Sequence, residues 1–197
     1  IREAMAQAGA SHVDAYDGFS VAWWDNLAAM HEDMTKSPHV AAALQDELYF
    51  IDHSRSLAFL TEEQVIVEPE GNVPYVLFEC LRRRADIDRA EFHRRWLDHA
   101  RFGRQAHAAR LLMGYVQNHT LLEGATANLQ GLEALGTNPD AWDGATTAYF
   151  ESVAKFKALV ASPLASVEAY DDERTFIDHG HSVNVLTRRH VMKDLIR

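Results

Sequence analysis

From residue 74 onward the chain switches between two hydrophobic rhythms. Residues 74–81, Pro-Tyr-Val-Leu-Phe-Glu-Cys-Leu, are mostly β-branched, aromatic or aliphatic and stop at a run of arginines, which predicts a strand. Asp88 followed three residues later by Glu91 is a capping-box pattern, and a helix is expected from there to about Leu112, ahead of Gly114. Strands are expected at 113–122 and 146–151. Ser152 then caps a helix whose apolar residues Val153, Phe156, Leu159 and Val160 recur at helical spacing. Ser162-Pro163 ends that helix and offers a new cap with proline in the first turn. A last strand is expected at 183–192. The Gly-, Asn- and Thr-rich stretch 124–140 reads as a loop with a short helix around 129–135. The resulting order, β-α-β-β-α-β, is the ferredoxin-like arrangement, an antiparallel sheet with both helices on one face.

The same pattern occurs twice. Phe50-Ile51-Asp52-His53 returns as Phe176-Ile177-Asp178-His179, and twelve-residue windows starting there share seven positions. At an offset of 126 residues, Tyr16-Asp17-Gly18 matches Trp142-Asp143-Gly144 and Trp23-Trp24 matches Tyr149-Phe150; Ser37-Pro38 matches Ser162-Pro163 after a one-residue slip. In the first copy Asn26 takes the place of the helix cap, Leu27, Met30 and Met34 form its apolar stripe, and residues 57–67 parallel the last strand. So long a period describes two domain-sized copies, not a solenoid. Nothing before Tyr16 matches residues 74–122, and residue 1 is Ile, so the expectation is a first copy that begins midway in an N-terminally incomplete chain. The expected domains are 1–67 and 73–197, joined by 68–72 with its Pro69 and Gly71. Each unit leaves one sheet face bare, and a duplicated unit can bury both faces against each other. The expected fold class is therefore α+β, two ferredoxin-like units packed sheet on sheet as an α+β barrel, with 16–67 superposing on 142–192.

Composition narrows the function classes. With 197 residues, 47% of them hydrophobic, the chain can bury a sizeable core. A formal charge of −10 argues against nucleic acid, and the one dense basic run, Arg82-Arg83-Arg84, is offset by Asp86 and Asp88 and reads as a solvated loop. A single cysteine, Cys80, excludes an internal disulfide and a cysteine-based zinc site, and fits a cytoplasmic protein. No apolar run is long enough to span a bilayer, so no membrane partner is expected. The sequon Asn118-His119-Thr120 falls in a predicted strand and is discounted.

Phe92-His93-Arg94-Arg95-Trp96-Leu97-Asp98-His99, then Tyr115-Val116-Gln117-Asn118-His119, then Asp143-Gly144 and the Phe-Ile-Asp block, resemble the EthD-like family of the dimeric α+β barrel superfamily. The resemblance covers one complete copy, about 74–192, and the later half of another, about 14–67. It implies a barrel of two ferredoxin-like units with small-molecule pockets between helices and sheet, and it is compatible with a homodimer. Relatives by this resemblance include cofactor-free oxygenases, isomerases, dehydratases and cyclases acting on aromatic or polyketide compounds, and haem enzymes. Family members often carry an acidic residue four places after the aspartate; here those places hold Val21 and Thr147.

On the helix, Phe92, Trp96, His99 and Gly103 share one face at ~100° per residue. His99 thus points toward the sheet with two large aromatics, where desolvation is expected to hold its imidazole neutral and able to exchange protons near pH 7. A core histidine bonded to a carbonyl fits the same pattern; Gly103, by removing a side chain beside His99, favours a site. His93 lies at the edge of that face. Asp178 and His179 project to opposite sides of an extended segment, so the pair is expected to serve turn structure, Asp178 bonding backbone amides. Because it recurs as Asp52-His53, two equivalent pockets would give the same pattern, and His179 stays a second catalytic candidate. His179-Gly180-His181 has the spacing some metal sites use, but a third ligand is lacking, and no metal is expected. Tyr115, Gln117 and His119 alternate with Val116, Asn118 and Thr120, with either set able to face the helices. The expected function is cofactor-free acid/base chemistry of lyase or dehydratase, isomerase or cyclase, or oxygenase type on a small, mainly apolar compound, aromatic and polyketide-like compounds both being open. His99 would transfer the proton, Phe92 and Trp96 would wall the pocket, and Tyr115, Asn118 or Tyr149 would orient a polar substituent. The alternatives are a haem protein with His99 as axial ligand, and a non-catalytic binding module.

Overall fold

In a computed structural model of the chain, residues 16–122 and 141–191 are described. The short helix expected around 129–135 lies outside them. The described residues divide into two compact units, one of 16–17, 61–120 and 142–191, the other of 18–60, 121–122 and 141.

The larger unit is α+β. It holds strands β1 (Thr61–Val67), β2 (Tyr75–Leu81), β3 (Gly114–Thr120), β4 (Gly144–Phe150) and β5 (Val183–Arg188) in one antiparallel sheet of order β1-β3-β4-β2-β5. Helix Arg89–Ala108 connects β2 to β3, and helix Val153–Val160 follows β4. The smaller unit contributes helices Leu27–Lys36 and Pro38–Glu47. In chain order these four are α1 (27–36), α2 (38–47), α3 (89–108) and α4 (153–160), and a short α5 (Tyr170–Glu173) completes the set. The elements β2-α3-β3-β4-α4-β5 have ferredoxin-like topology, with β1 added outside β3.

Local chemistry sets these boundaries. Asp88 caps α3 by accepting a hydrogen bond from the Glu91 amide at 2.8 Å; Ser152 does the same for Lys155 at 3.2 Å, and Asn26 for Ala29 at 2.9 Å. After Pro163 the chain winds as a wide, π-type turn, Leu164–Ala169, that runs into α5. π-type segments of this kind re-aim the side chains they carry.

Both long helices of the larger unit lie on one face of the sheet. Phe156 of α4 packs with Ala106, Leu112, Tyr115, Ala148 and Phe150, its ring edge-on to Phe150 at 5.6 Å. Phe92 and Trp96 of α3 pack with Leu81, Phe176 and Ile177. The alternate strand residues Val76, Val116 and Tyr149 cluster with Val73 on the opposite face and are buried there too.

The first copy departs from the expected superposition. Its last strand, β1, does not belong to a second sheet facing the first; among the described residues there is one open sheet, and β1 pairs along the outer edge of β3, Thr61 opposite Thr120 and Val65 opposite Val116. Residues 18–24, the match to β4, form no strand. A strand exists only where a neighbour completes its ladder. β4 lies between β2 and β3, whereas residues 18–24 have no such pair of described strands to join.

The arginine run is not a solvated loop throughout. Arg84 does pair with Asp86 at 2.9 Å. Arg83 instead reaches Asp143, fully buried at the start of β4, which also takes the Arg89 guanidinium at 3.0 Å and the Arg83 amide at 2.9 Å. This aspartate ties the β2–α3 loop, the first turn of α3 and β4 together. The following Gly144 is required sterically: a Cβ there would run into the Trp96 ring and, at 2.9 Å, the Asn118 carbonyl.

Candidate functional site

Between the sheet and the layer made by α3, α4, the π-type turn and α5 lies a cavity of about 260 Å³. Volumes of this order accept one- or two-ring compounds, since an apolar cavity of about 150 Å³ already takes benzene. One end is apolar, walled by Leu77, Leu112, Ala148, Phe156, Leu159 and Leu164. The other carries Glu79, His99, Tyr115, Thr146, Glu173 and His179.

Sheet register explains the polar end. Gln117, Thr146, Glu79 and Asn184 are direct cross-strand partners on β3, β4, β2 and β5, so they form a polar row across the helix-facing surface. Gln117 turns away from the cavity to donate to the Trp96 carbonyl at 2.7 Å. Glu79 stays at the cavity wall, hydrogen-bonded to Thr146. Burial, reinforced by the negative charge of Glu173, pushes its carboxyl up to about 8, and the His99 charge and the Thr146 bond offset only part of this. Glu79 is thus a neutral acid at pH 7.

His99 is buried with both ring nitrogens engaged: Nδ1 stands 2.8 Å from Asp172 Oδ2 and Nε2 3.3 Å from Glu173 Oε1. Burial is the largest single influence and favours the neutral ring, but the bonds and charges of Glu173 and Asp172 together outweigh it and raise the pKa. The expectation of a histidine whose pKa is lowered by desolvation is corrected accordingly; the two carboxylates of α5 on either side of His99 favour its charged form. Asp172 is further held by Arg101 at 2.8 Å, and the net result lowers its pKa despite burial.

His179 lies on the same wall, its ring 5.0 Å from Tyr170 and its Nε2 3.5 Å from Glu173 Oε2. Desolvation lowers its pKa and so favours the neutral ring. Asp178 accepts from the Gly180 amide at 3.0 Å, and the matching Asp52 accepts from Ser54 at 3.0 Å. The two aspartates therefore close the same kind of turn. The copies share more: Asp46-Glu47 precedes Phe50 as Asp172-Glu173 precedes Phe176, and His53 Nε2 lies 3.6 Å from Glu47 Oε2.

Of the residues singled out from sequence, the fold gathers His99, His179, Trp96, Gly103 and Tyr115 around this cavity. Three others are elsewhere. Phe92 is fully buried against Phe176 and Trp96, too deep in the core to line the space. Asn118 and Tyr149 project from the opposite face of the sheet, where Asn118 donates to the Ala145 carbonyl at 3.0 Å. Nor does Gly103 leave room beside His99: a Cβ there would lie 2.5 Å from Tyr115 Cδ1, so the glycine is filled by the tyrosine ring. His93 and His119 form a separate pair at 4.5 Å, His119 stacked on Trp96 and pushed down to about 3 by burial and then by His93.

Sequence reasoning missed Glu79, Asp172 and Glu173. Glu79 did leave a signal, being the one charge inside the apolar run 74–81. Among the described residues no cluster of metal-ligating side chains occurs, and no helix is long and apolar enough to cross a membrane. A haem reading does not fit His99, because an axial ligand needs a free ring nitrogen and both are committed to carboxylates.

The topology and the helix-to-sheet cavity define an antiparallel α+β protein of ferredoxin-like arrangement. Residues 84–180 match the model of the EthD domain. A solved structure similar to this chain is a dimeric protein of unknown function and ferredoxin-like fold from Bacteroides fragilis NCTC 9343, with 11% identity, a TM-score of 0.42, and coverage of 58% of this chain and 95% of that one. No curated protein matches the chain.

Proposed function

We propose that this protein is a small-molecule enzyme that performs cofactor-free acid/base chemistry, of lyase, isomerase or oxygenase type, on a mainly apolar compound held in the cavity. The observation that carries the reading is Glu79, a carboxyl with its pKa raised to about 8 at the wall of an apolar-ended cavity, beside the His99–Glu173 pair. A carboxyl tuned near working pH can give a proton to a substrate and take one back, which is the property general acid/base catalysis needs. Here Glu79 moves the proton. His99, fixed between Asp172 and Glu173, holds Glu173 in place and in its charged form stabilises negative charge appearing near Glu79 as the proton leaves. Trp96 and Tyr115 wall the reacting end and keep water out.

This assignment moves the proton-transfer role from His99 to Glu79. A homodimer remains the assembly we propose, since β5 is an edge strand whose outer side can pair with another copy. The catalytic reading is tested by incubating the protein in D2O with a panel of one- and two-ring ketones, phenols and amines and following loss of carbon-bound proton signals by NMR. Wild type is expected to catalyse exchange in at least one compound, and Glu79→Gln to slow it by about two to four orders of magnitude. Equal exchange by both proteins, or none by wild type, would reject the reading.

A further inference from the structure

On the reading of the cavity as a ligand site, we propose that its ligand is an organic cation, a small apolar or aromatic compound bearing a protonated amine that takes the Glu79 carboxylate as its ion partner. The inference comes from pairing the charges around the polar end. Asp172 is served by Arg101 and His99, each at 2.8 Å. Glu173 is served by His99 at 3.3 Å. Both carboxylates of α5 thus have their partners in Arg101 and His99. Glu79 is left with a hydroxyl, that of Thr146, and among the described residues no lysine or arginine lines the cavity.

Each class of ligand fares differently in such a space. A carboxylate would meet Glu79 and Glu173 with His99 already committed, adding a like charge where none can be accommodated. A neutral compound leaves Glu79 protonated and gains from it at most a neutral hydrogen bond beside apolar burial. An ammonium gives Glu79 the missing partner, and the rings of Trp96, Tyr115 and Phe102 on the same wall suit a cation's approach. The groups facing Glu79 are His99 of α3, Glu173 of α5, Tyr115 of β3, Thr146 of β4, Asn184 of β5 and His179. None of these offers a second cation free to compete with the ligand.

The proton balance follows. When an ammonium binds, the Glu79 O–H bond breaks, its proton leaves to solvent, and the carboxylate pairs with the ligand nitrogen, which keeps all its protons. One proton is therefore released per ligand bound wherever Glu79 is protonated in the free protein. With a carboxyl titrating near 8, most of that release is seen at pH 7 and little at pH 9. Amine affinity should accordingly rise about tenfold over that interval.

The test is calorimetric titration of the intact protein at pH 7 and pH 9, in two buffers of different ionisation heat, with three matched probes: 2-phenylethylamine, 2-phenylethanol and phenylacetate. The expected result is amine binding at least about tenfold tighter than alcohol at pH 9, no detectable acid binding, and proton release approaching one at pH 7. Glu79→Gln should abolish both the amine preference and the proton release while still binding the alcohol. Alcohol binding within about threefold of the amine at pH 9, or best binding by the acid, overturns the proposal and leaves the cavity reading standing. Failure of all three probes to bind overturns both. The wild-type comparison alone decides the matter should the variant not fold.

Discussion

Glu79 makes the stability of this protein depend on pH in a direction opposite to that of an ordinary surface carboxylate. Its carboxyl titrates near 8 in the folded chain, against an ordinary value of 4.5. Folding therefore favours the protonated form. Below pH 4.5 the side chain is protonated in both states and contributes no penalty. As pH rises from 4.5 toward 8 the unfolded chain loses its proton first, so unfolding is progressively favoured, and above 8 the loss is complete. At ~1.4 kcal/mol per unit of difference in pKa, the full effect is about 5 kcal/mol, of the same order as the whole stability of a typical domain. Glu79→Gln keeps the shape and a hydrogen-bonding partner for Thr146 but cannot ionise. Urea unfolding of both proteins at half-unit steps from pH 4.5 to 9 gives the difference curve directly. The variant is expected to gain on wild type steadily, by about 3–5 kcal/mol at pH 9. Parallel curves would refute the claim that burial holds this carboxyl in its protonated form.

Other substitutions probe the surroundings. His99→Gln leaves Asp172 and Glu173 without their shared cation and should cost about 3–5 kcal/mol below pH 6.5; because the folded pKa is raised, that loss should shrink as pH climbs through it, which thermal melts at pH 6 and 9 will show. Asp143→Asn strips the charge partner from Arg83 and Arg89 and should destabilise by a similar ~3–5 kcal/mol in urea titrations, with little change in ligand affinity. Gly103→Ala forces a methyl against the Tyr115 ring and should cost about 1–3 kcal/mol while shrinking the cavity, read as weaker binding of two-ring than of one-ring probes.

How much of this was legible beforehand depends on the distance over which each feature is decided. The cap at Asp88, the turn at Asp178 and the pattern of β2, β3, β4 and β5 rest on residues a few positions apart, and sequence reading located them because hydrogen bonds of that range are written into local residue order. The helix-facing stripe of α3 was equally readable from its period; Phe92, Trp96, His99 and Gly103 are all buried on it. Which way a strand's alternating residues face is decided by what packs on the sheet, and so Tyr115 was distinguished from Asn118 and Tyr149 only in the fold.

The site's chemistry lies further from sequence still. His99 meets Asp172 across 73 residues, and Arg83 meets Asp143 across 60. No periodicity relates such pairs, and their meeting reversed two expectations, a neutral histidine and a solvated arginine. The repeat likewise announced a second copy, but not that its last strand would complete the edge of β3 in place of a facing sheet. Sequence determined which segments could be helix or strand and which faces were apolar, since those follow from local propensity and period. Tertiary structure decided which way the pKa values of Glu79 and His99 move, because a pKa answers to burial and to the nearest charges, and those are properties of the space the chain encloses.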